Sequence, residues 1–194
     1  MKKTRKIVIY LSILLIIILG SVVLLYHIFM INNKYPNPKI NIFHMNDEVL
    51  IEDNKVVKVK ECALYSLDKV HKLYPEYDFQ NENIYTDDES VKMFLVKVEI
   101  SDTSDNKAEV DLSNFILQSG AWANGWDLEL YSIINQKKLS IVSEQKSKVI
   151  YLPYFLYDFQ FSEKDWRNIE KRKFCLVTSV YPEKRIIELM KKEK

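Results

Sequence analysis

A chain of 194 residues that is 47% hydrophobic and 28% charged is too apolar for a disordered segment and too short for two full-sized domains. Its formal charge of +1 hides an asymmetry: setting aside Lys2, Lys3, Arg5 and Lys6 from the 28 Lys+Arg leaves 24 against 27 Asp+Glu, a net −3. A nucleic-acid binder shows a basic face, so this balance argues against that class. Only three glycines stand beside 12 Tyr, 9 Phe and 3 Trp, a composition that fills a core and favours strands.

From Ile7 to Ile31 no residue is charged. A helix of that length reaches roughly 37 Å, enough to cross a hydrocarbon core of about 30 Å with some tilt. A secretory signal has an apolar region of only about 7–15 residues followed by small residues at the cleavage site. No alanine precedes Ala63, and cleavage at Gly20-Ser21 would leave Val22–Ile31 as an apolar tail. The first cysteine is Cys62, too far on for lipid attachment beside the span. The expectation is an uncleaved signal-anchor, with the preceding cations holding the N-terminus in the cytoplasm. Residues 1–6 are then a cytoplasmic tail, 7–31 a single transmembrane helix, 32–40 a spacer with two prolines, and 41–194 one extracytoplasmic domain.

In chain order, INIFHMNDEVLIEDNKVVKVKECALYS predicts short strands around an Asp-Asn turn, with Val57 and Val59 alternating against Lys58 and Lys60. Ser66 is placed to cap a short helix whose Leu67, Val70, Leu73 and Tyr74 share a face, and the polar run after it reads as a loop. VKMFLVKVEI is the clearest strand. Phe94, Val96, Val98 and Ile100 face one way and Met93, Leu95, Lys97 and Glu99 the other, which predicts one buried and one wet face. SDTSDNK is a turn and Val110–Gln118 another strand, leading to the tip SGAWANGW with Asn124-Gly125 as a tight hairpin turn. KSKVIYLPYFL is a strand that Pro153 assigns to an edge or bulge. SEKDWRNIEK opens like a capping box, KRKFCLVTSV alternates with Phe174, Leu176 and Val180 on one face, and RIIEL closes the domain as a short strand. Together these predict a mainly β fold: an antiparallel β-sandwich with two short helices, preceded by one transmembrane helix.

Cys62 and Cys175 lie in the first and last extended segments, which can neighbour each other in a sandwich. On the oxidising side of a membrane they could pair; the plain alternative is two separate buried thiols. Trp122, Asn124 and Trp126 are the candidate contact residues, since aromatics beside a hairpin tip can anchor a partner or stack on a glycan. Such tryptophans more often cover the end of their own core.

Two S-x-x-K tetrads, Ser66–Lys69 and Ser143–Lys146, lack the companion motifs of acyl-transfer enzymes. His27, His44 and His71 fall in unrelated segments, without the convergent spacing of a zinc site. Asp102, Ser104 and Asn106 match the start of a calcium loop, but Lys107 stands where glycine is needed. Asp87, Asp88 and Glu89 read as a solvated acidic loop. No phosphate-cradling glycine loop is present. No catalytic residue, metal site or cofactor is therefore expected.

The order of features carries a resemblance: the single span, PNPKI, VKVKECALYSLDKVHKLYPEY, VKMFLVKVEISDTSDNK, LPY at 152–154, Trp166 in a short helix and TSVYPEKRIIEL with Tyr181, Pro182 and Lys184. This resembles a family of membrane-anchored bacterial proteins of unknown function, chiefly from Gram-positive organisms. The resemblance implies an immunoglobulin-like layout of the outer domain and supplies no catalytic residues. The expected function is a non-catalytic binding or assembly module at the cell surface, touching a protein partner or a cell-wall polymer. The alternatives are a surface hydrolase using carboxylates, or an accessory or immunity-type subunit of a membrane complex.

Overall fold

The computed structural model describes residues 2–52, 54–77, 89–102, 111–135 and 147–190. The chain divides into two compact units, Met1–Pro38 and Lys39–Lys194.

The first unit is helix α1 (Lys2–Lys34). Its stretch Tyr10–Lys34 has a mean hydropathy of 2.7 and is long and apolar enough to cross a membrane, with none of it buried in the protein. Ser21 donates to the Ile17 carbonyl one turn back (2.9 Å), so its hydroxyl is satisfied within the helix. The helix runs three residues past Ile31 and stops before Pro36 and Pro38, leaving a shorter connection than the expected spacer.

The second unit is mainly β. Strands β1 (Lys39–His44), β2 (Val49–Glu52) and β3 (Lys55–Ser66) lead into helix α2 (Leu67–Leu73) and the long strand β4 (Val91–Asp102). Strands β5 (Ile116–Ser119) and β6 (Trp122–Asn124) precede helix α3 (Leu128–Ile134) and strand β7 (Ser147–Tyr157). Helix α4 (Glu163–Arg167), β8 (Phe174–Ser179) and β9 (Glu183–Leu189) follow. One sheet has the order β2-β3-β4-β7 and the other β1-β9-β8-β5-β6. All pairings are antiparallel except β1 with β9, which are parallel. That departs from the expected all-antiparallel arrangement. A parallel pair needs a long crossover, and here residues 45–182 supply it.

One apolar core joins the two sheets: Val57, Val59 and Cys62 of β3, the 94/96/98/100 face of β4 and Tyr154 of β7 meet Leu117, Phe174, Leu176 and Ile187. A bulge in β3 between Val59 and Glu61 resets the alternation, so Cys62 and not Glu61 continues the buried row.

The other face of β4 is not wet along its length. Val91, Met93 and Leu95 form a second buried cluster with Leu67 and Val70 of α2, Leu130 of α3, Tyr77 and Phe155. Only farther along, at Lys97 and Glu99, does this face become half-exposed. Helix α3 was not expected. Asp127 caps it by accepting from Leu130 N (2.7 Å), and it straddles the sheet margin, with Leu130 in the second cluster and Tyr131 in the main core.

The same segment seals the outer edge of β7. Asn135 donates to the Tyr151 carbonyl (2.8 Å) and accepts from Tyr151 N (2.9 Å), so its amide imitates a strand neighbour. Asp127 N donates to the Pro153 carbonyl (2.8 Å) and Asn124 Nδ2 to the Phe155 carbonyl (3.0 Å). Proline has no N–H to satisfy, and Pro153 sits on this edge strand as expected.

Several local expectations change. The 110–118 strand shortens to Ile116–Ser119, because Phe115 N donates to the Leu112 carbonyl (3.0 Å) in a turn. The β5–β6 hairpin turns at Gly120-Ala121, with Gly120 at φ 61°, while Asn124 lies inside β6 opposite Leu117. Val180 is 50% exposed because β8 ends at Ser179, after a bulge. Leu73 is 49% exposed at the end of α2, and Ser66 occupies the N-cap of that helix without a side-chain cap bond. Ser162, by contrast, accepts from Asp165 N (3.2 Å) and caps α4 as expected.

Candidate functional site

The residues singled out at the hairpin are turned to internal use. Trp122 donates from Nε1 to Gln160 Oε1 (3.2 Å), and its ring lies 5.1 Å from that of Phe161 and 6.1 Å from that of Phe174. Trp126 donates to the Leu112 carbonyl (2.9 Å) with its ring 4.7 Å from Tyr131, and Asn124 is engaged by β7. Arg172 clamps the hairpin turn, bonding Ser119 Oγ (2.8 Å) and the Ser119 carbonyl (3.1 Å) while lying over Phe161. Both indoles are half-buried against the main core.

Cys62 and Cys175 are not joined in a disulfide. Cys62 points into the core, its Sγ 3.4 Å from the Met190 carbonyl. Cys175 alternates with core-facing Phe174 and Leu176 and so lies on the opposite face of its sheet, against the Gln118 carbonyl (3.5 Å). Burial pushes its thiol pKa up; Lys184 opposes this and Glu188 adds to it. The pairing that proximity of the two segments allowed is thus not formed: the two side chains leave their sheets in directions that do not meet.

The other motifs stay apart. Lys69 lies over the Tyr65 ring (4.8 Å). His44 faces Glu188 at 3.5 Å in an exposed pair, and His71 is in the last turn of α2. Among the described residues no three His, Cys, Asp or Glu side chains gather as a metal site. Ser143–Lys146, the loop residues Ser104 to Lys107, and Asp87 with Asp88 lie outside the described residues.

The structure brings together a group that no sequence motif announces. A cavity of about 190 Å³ opens where β2, the 111–115 turn and the β8–β9 connection converge. Its polar lining is Asp111, Asn114, Thr178 and Ser179; Ile51, Phe115, Val180 and Tyr181 supply carbon walls. The β8 bulge creates the Thr178 position, since Val177 pairs with Ile186 and Ser179 with Arg185, leaving Thr178 as the extra residue. Thr178 is 6% exposed, and its hydroxyl makes no hydrogen bond among the described residues. Ser113 holds the Asp111 carboxyl below its ordinary pKa, through its hydroxyl first and then its backbone N–H (2.9 Å to Oδ1). Asp111 is therefore an anion across the neutral range. The lining spans residues 51 to 181, so the only local signal was the Asp111-x-Ser113 turn.

Fold and site together define a small two-sheet β domain carried behind one long apolar helix, with a polar cavity at one end of the sheets. The chain belongs to the family of the domain of unknown function DUF5028, whose model matches residues 41–185. That match begins in β1 and ends in β9, so it takes in the two-sheet unit and leaves out α1. Comparison with curated proteins and with solved structures gives no match.

Proposed function

We propose that the chain is a single-pass membrane protein with a cytoplasmic N-terminus. On this reading its extracytoplasmic unit is an immunoglobulin-like sandwich that works as a non-catalytic binding or assembly module, for a protein partner or a cell-wall polymer. The observation that carries the reading is the unburied apolar stretch of α1. Its large hydrophobic side chains, Tyr10 to Ile31, are exposed. Each would gain about 1.5–3 kcal/mol on leaving water, and a bilayer supplies that transfer. Lys2, Lys3, Arg5 and Lys6 favour the cytoplasmic side for the short end.

Protease added to intact protoplasts tests the topology. The expected result is loss of the β domain with the N-terminal end spared. Protection of the domain until the membrane is permeabilised overturns the orientation. Replacing residues 7–31 by an unrelated span then separates a module that acts through its domain, which keeps its function, from an accessory subunit working through the span, which loses it.

A further inference from the structure

We propose that a second copy of this chain adds to the sheet at β1, the two β1 strands running antiparallel about a two-fold axis at Asn41. The inference rests on the assembly-module reading and gives that module a partner, its own copy.

The sheet margins are closed unequally. Asn135, Asp127 and Asn124 hold outer backbone groups of β7, and β2 gives its Leu50 carbonyl to Arg185 (2.5 Å). β1 ends its sheet and pairs with β9 alone. His44 engages both its backbone groups with Asp47: its N–H donates to Oδ2 (2.7 Å) and its carbonyl accepts from Asp47 N (3.1 Å). Residues two apart on a strand turn their backbone groups to the same edge, so Ile40 and Ile42, like His44, turn theirs away from β9. The strand has no proline, no bulge and, past Lys39, no lysine, the devices that usually guard an edge.

This free run fits a copy of itself in one register. With Ile40 opposite Ile42 of the second copy, each such pair exchanges two N–H···O bonds, and every outward backbone group of both isoleucines is satisfied. Moving the two-fold to Ile42 sets Ile40 opposite His44, whose groups Asp47 already holds. Moving it to Ile40 sets Ile42 opposite Pro38, which has no N–H. In the register centred on Asn41, Lys39 falls opposite Phe43, so no like charges meet.

The side chains agree with the backbone. On the outer face of the sheet Ile42, Ile186, Val177 and Ile116 stand side by side across four strands. Val177 is buried and Ile186 and Ile116 are half-buried, whereas Ile40 and Ile42 are 58% and 60% exposed. The isoleucines of a second copy continue this row and cover its open end. So short a seam suits copies confined to one membrane, which meet at a raised effective concentration.

The test uses the full chain with Cys175→Ser, the buried Cys62 being kept, reconstituted in phosphatidylcholine liposomes and oxidised. Asn41→Cys should form a disulfide-linked dimer at least tenfold faster than Lys39→Cys. Only position 41 faces itself across the two-fold, at the ~4.5 Å Cα spacing of a non-hydrogen-bonded pair, which a disulfide spans. Adding Ile40→Lys or Ile42→Lys should slow that cross-link tenfold or more. Both positions are exposed, so each variant should melt like the parent in dilute detergent. Equal rates at 39 and 41, or a cross-link at 41 that neither lysine slows, as association through α1 would give, overturns the proposal. So does no cross-link at 41 in the purified liposomes, the result expected if a strand of another protein occupies this edge. If the domain is shaved from protoplasts but no link forms at 41, only the pairing fails. If the link forms but the domain is protected from protease, only the topology fails.

Discussion

The two faces of β4 differ in how they are kept dry. On one, Phe94, Val96, Val98 and Ile100 meet a second sheet, and burial extends along the strand. On the other, Val91, Met93 and Leu95 lie under two seven-residue helices, and burial gives way to Lys97 and Glu99. A sheet covers a whole face because its strands run alongside; a short helix covers a patch. The same alternating strand is therefore two-sided at one end and amphipathic at the other.

Val96→Asp should have the largest effect. It places an unpaired carboxylate between the sheets, at a position with no exposure, and costs several kcal/mol. Against the ~5–15 kcal/mol that holds a typical domain together, that is enough to unfold much of the population. Urea unfolding of the full chain in detergent reads it through tryptophan fluorescence, because Trp122, Trp126 and Trp166 all lie in the β unit.

Leu130→Ala cuts into the helix-covered face alone. It should cost about 2–5 kcal/mol by the same measurement, as for a large-to-small change at a buried site. A cost near zero would mean that α3 rests on β4 without packing against it.

Two tyrosines sharpen the comparison at the margin where the faces meet. Tyr154 is buried and donates to the Phe115 carbonyl (3.1 Å), whereas the buried Tyr131 hydroxyl has no hydrogen-bond partner among the described residues. Tyr154→Phe should destabilise by about 1 kcal/mol and Tyr131→Phe should be neutral or stabilising. Burial raises the pKa of both phenols above 10.0, that of Tyr154 well above it. Their contribution is complete below the unfolded pKa and is lost as pH rises through the folded value. Each Phe variant should accordingly lose less stability than the parent on going from neutral to strongly alkaline pH.

Lys97→Asp should cost far less than Val96→Asp. Lys97 is half-exposed, 5.7 Å from the Tyr151 ring centre and opposite Glu61 in β3. Losing that contact and placing two acids opposite each other should cost up to about 1 kcal/mol. Equal losses at positions 96 and 97 would break the two-face description.

How much of this was legible depends on the range of the interactions involved. The inward row of β4 follows from period-two alternation, and Pro153 marked an edge because proline has no N–H to give a neighbour. Ser162 marked a helix start because the N–H its hydroxyl accepts from lies only three residues on. Asp127 carries the same local signal for α3, but the tryptophans and Asn-Gly beside it favoured a hairpin reading. The tip moved to Gly120-Ala121 once Asn124 paired with Leu117.

The candidate site was far less legible. That Trp122 and Trp126 more often cover their own core could be read from the sequence, but not what they meet there, since Gln160, Phe161 and the Leu112 carbonyl come from other segments. The cavity could not be seen at all. Its lining comes from three separated stretches, and the Thr178 position exists only because β8 slips by one residue against β9.

The long apolar helix, the mainly β character and the buried row of β4 are set by composition and nearest-neighbour periodicity, which act along the chain and can be read from it. The parallel closure of β1 on β9, the second apolar layer under α2 and α3, the separation of Cys62 from Cys175 and the cavity around Thr178 depend on which distant segments become neighbours. Those contacts are selected by packing the whole domain at once, because each apolar face needs a partner that its own segment cannot supply.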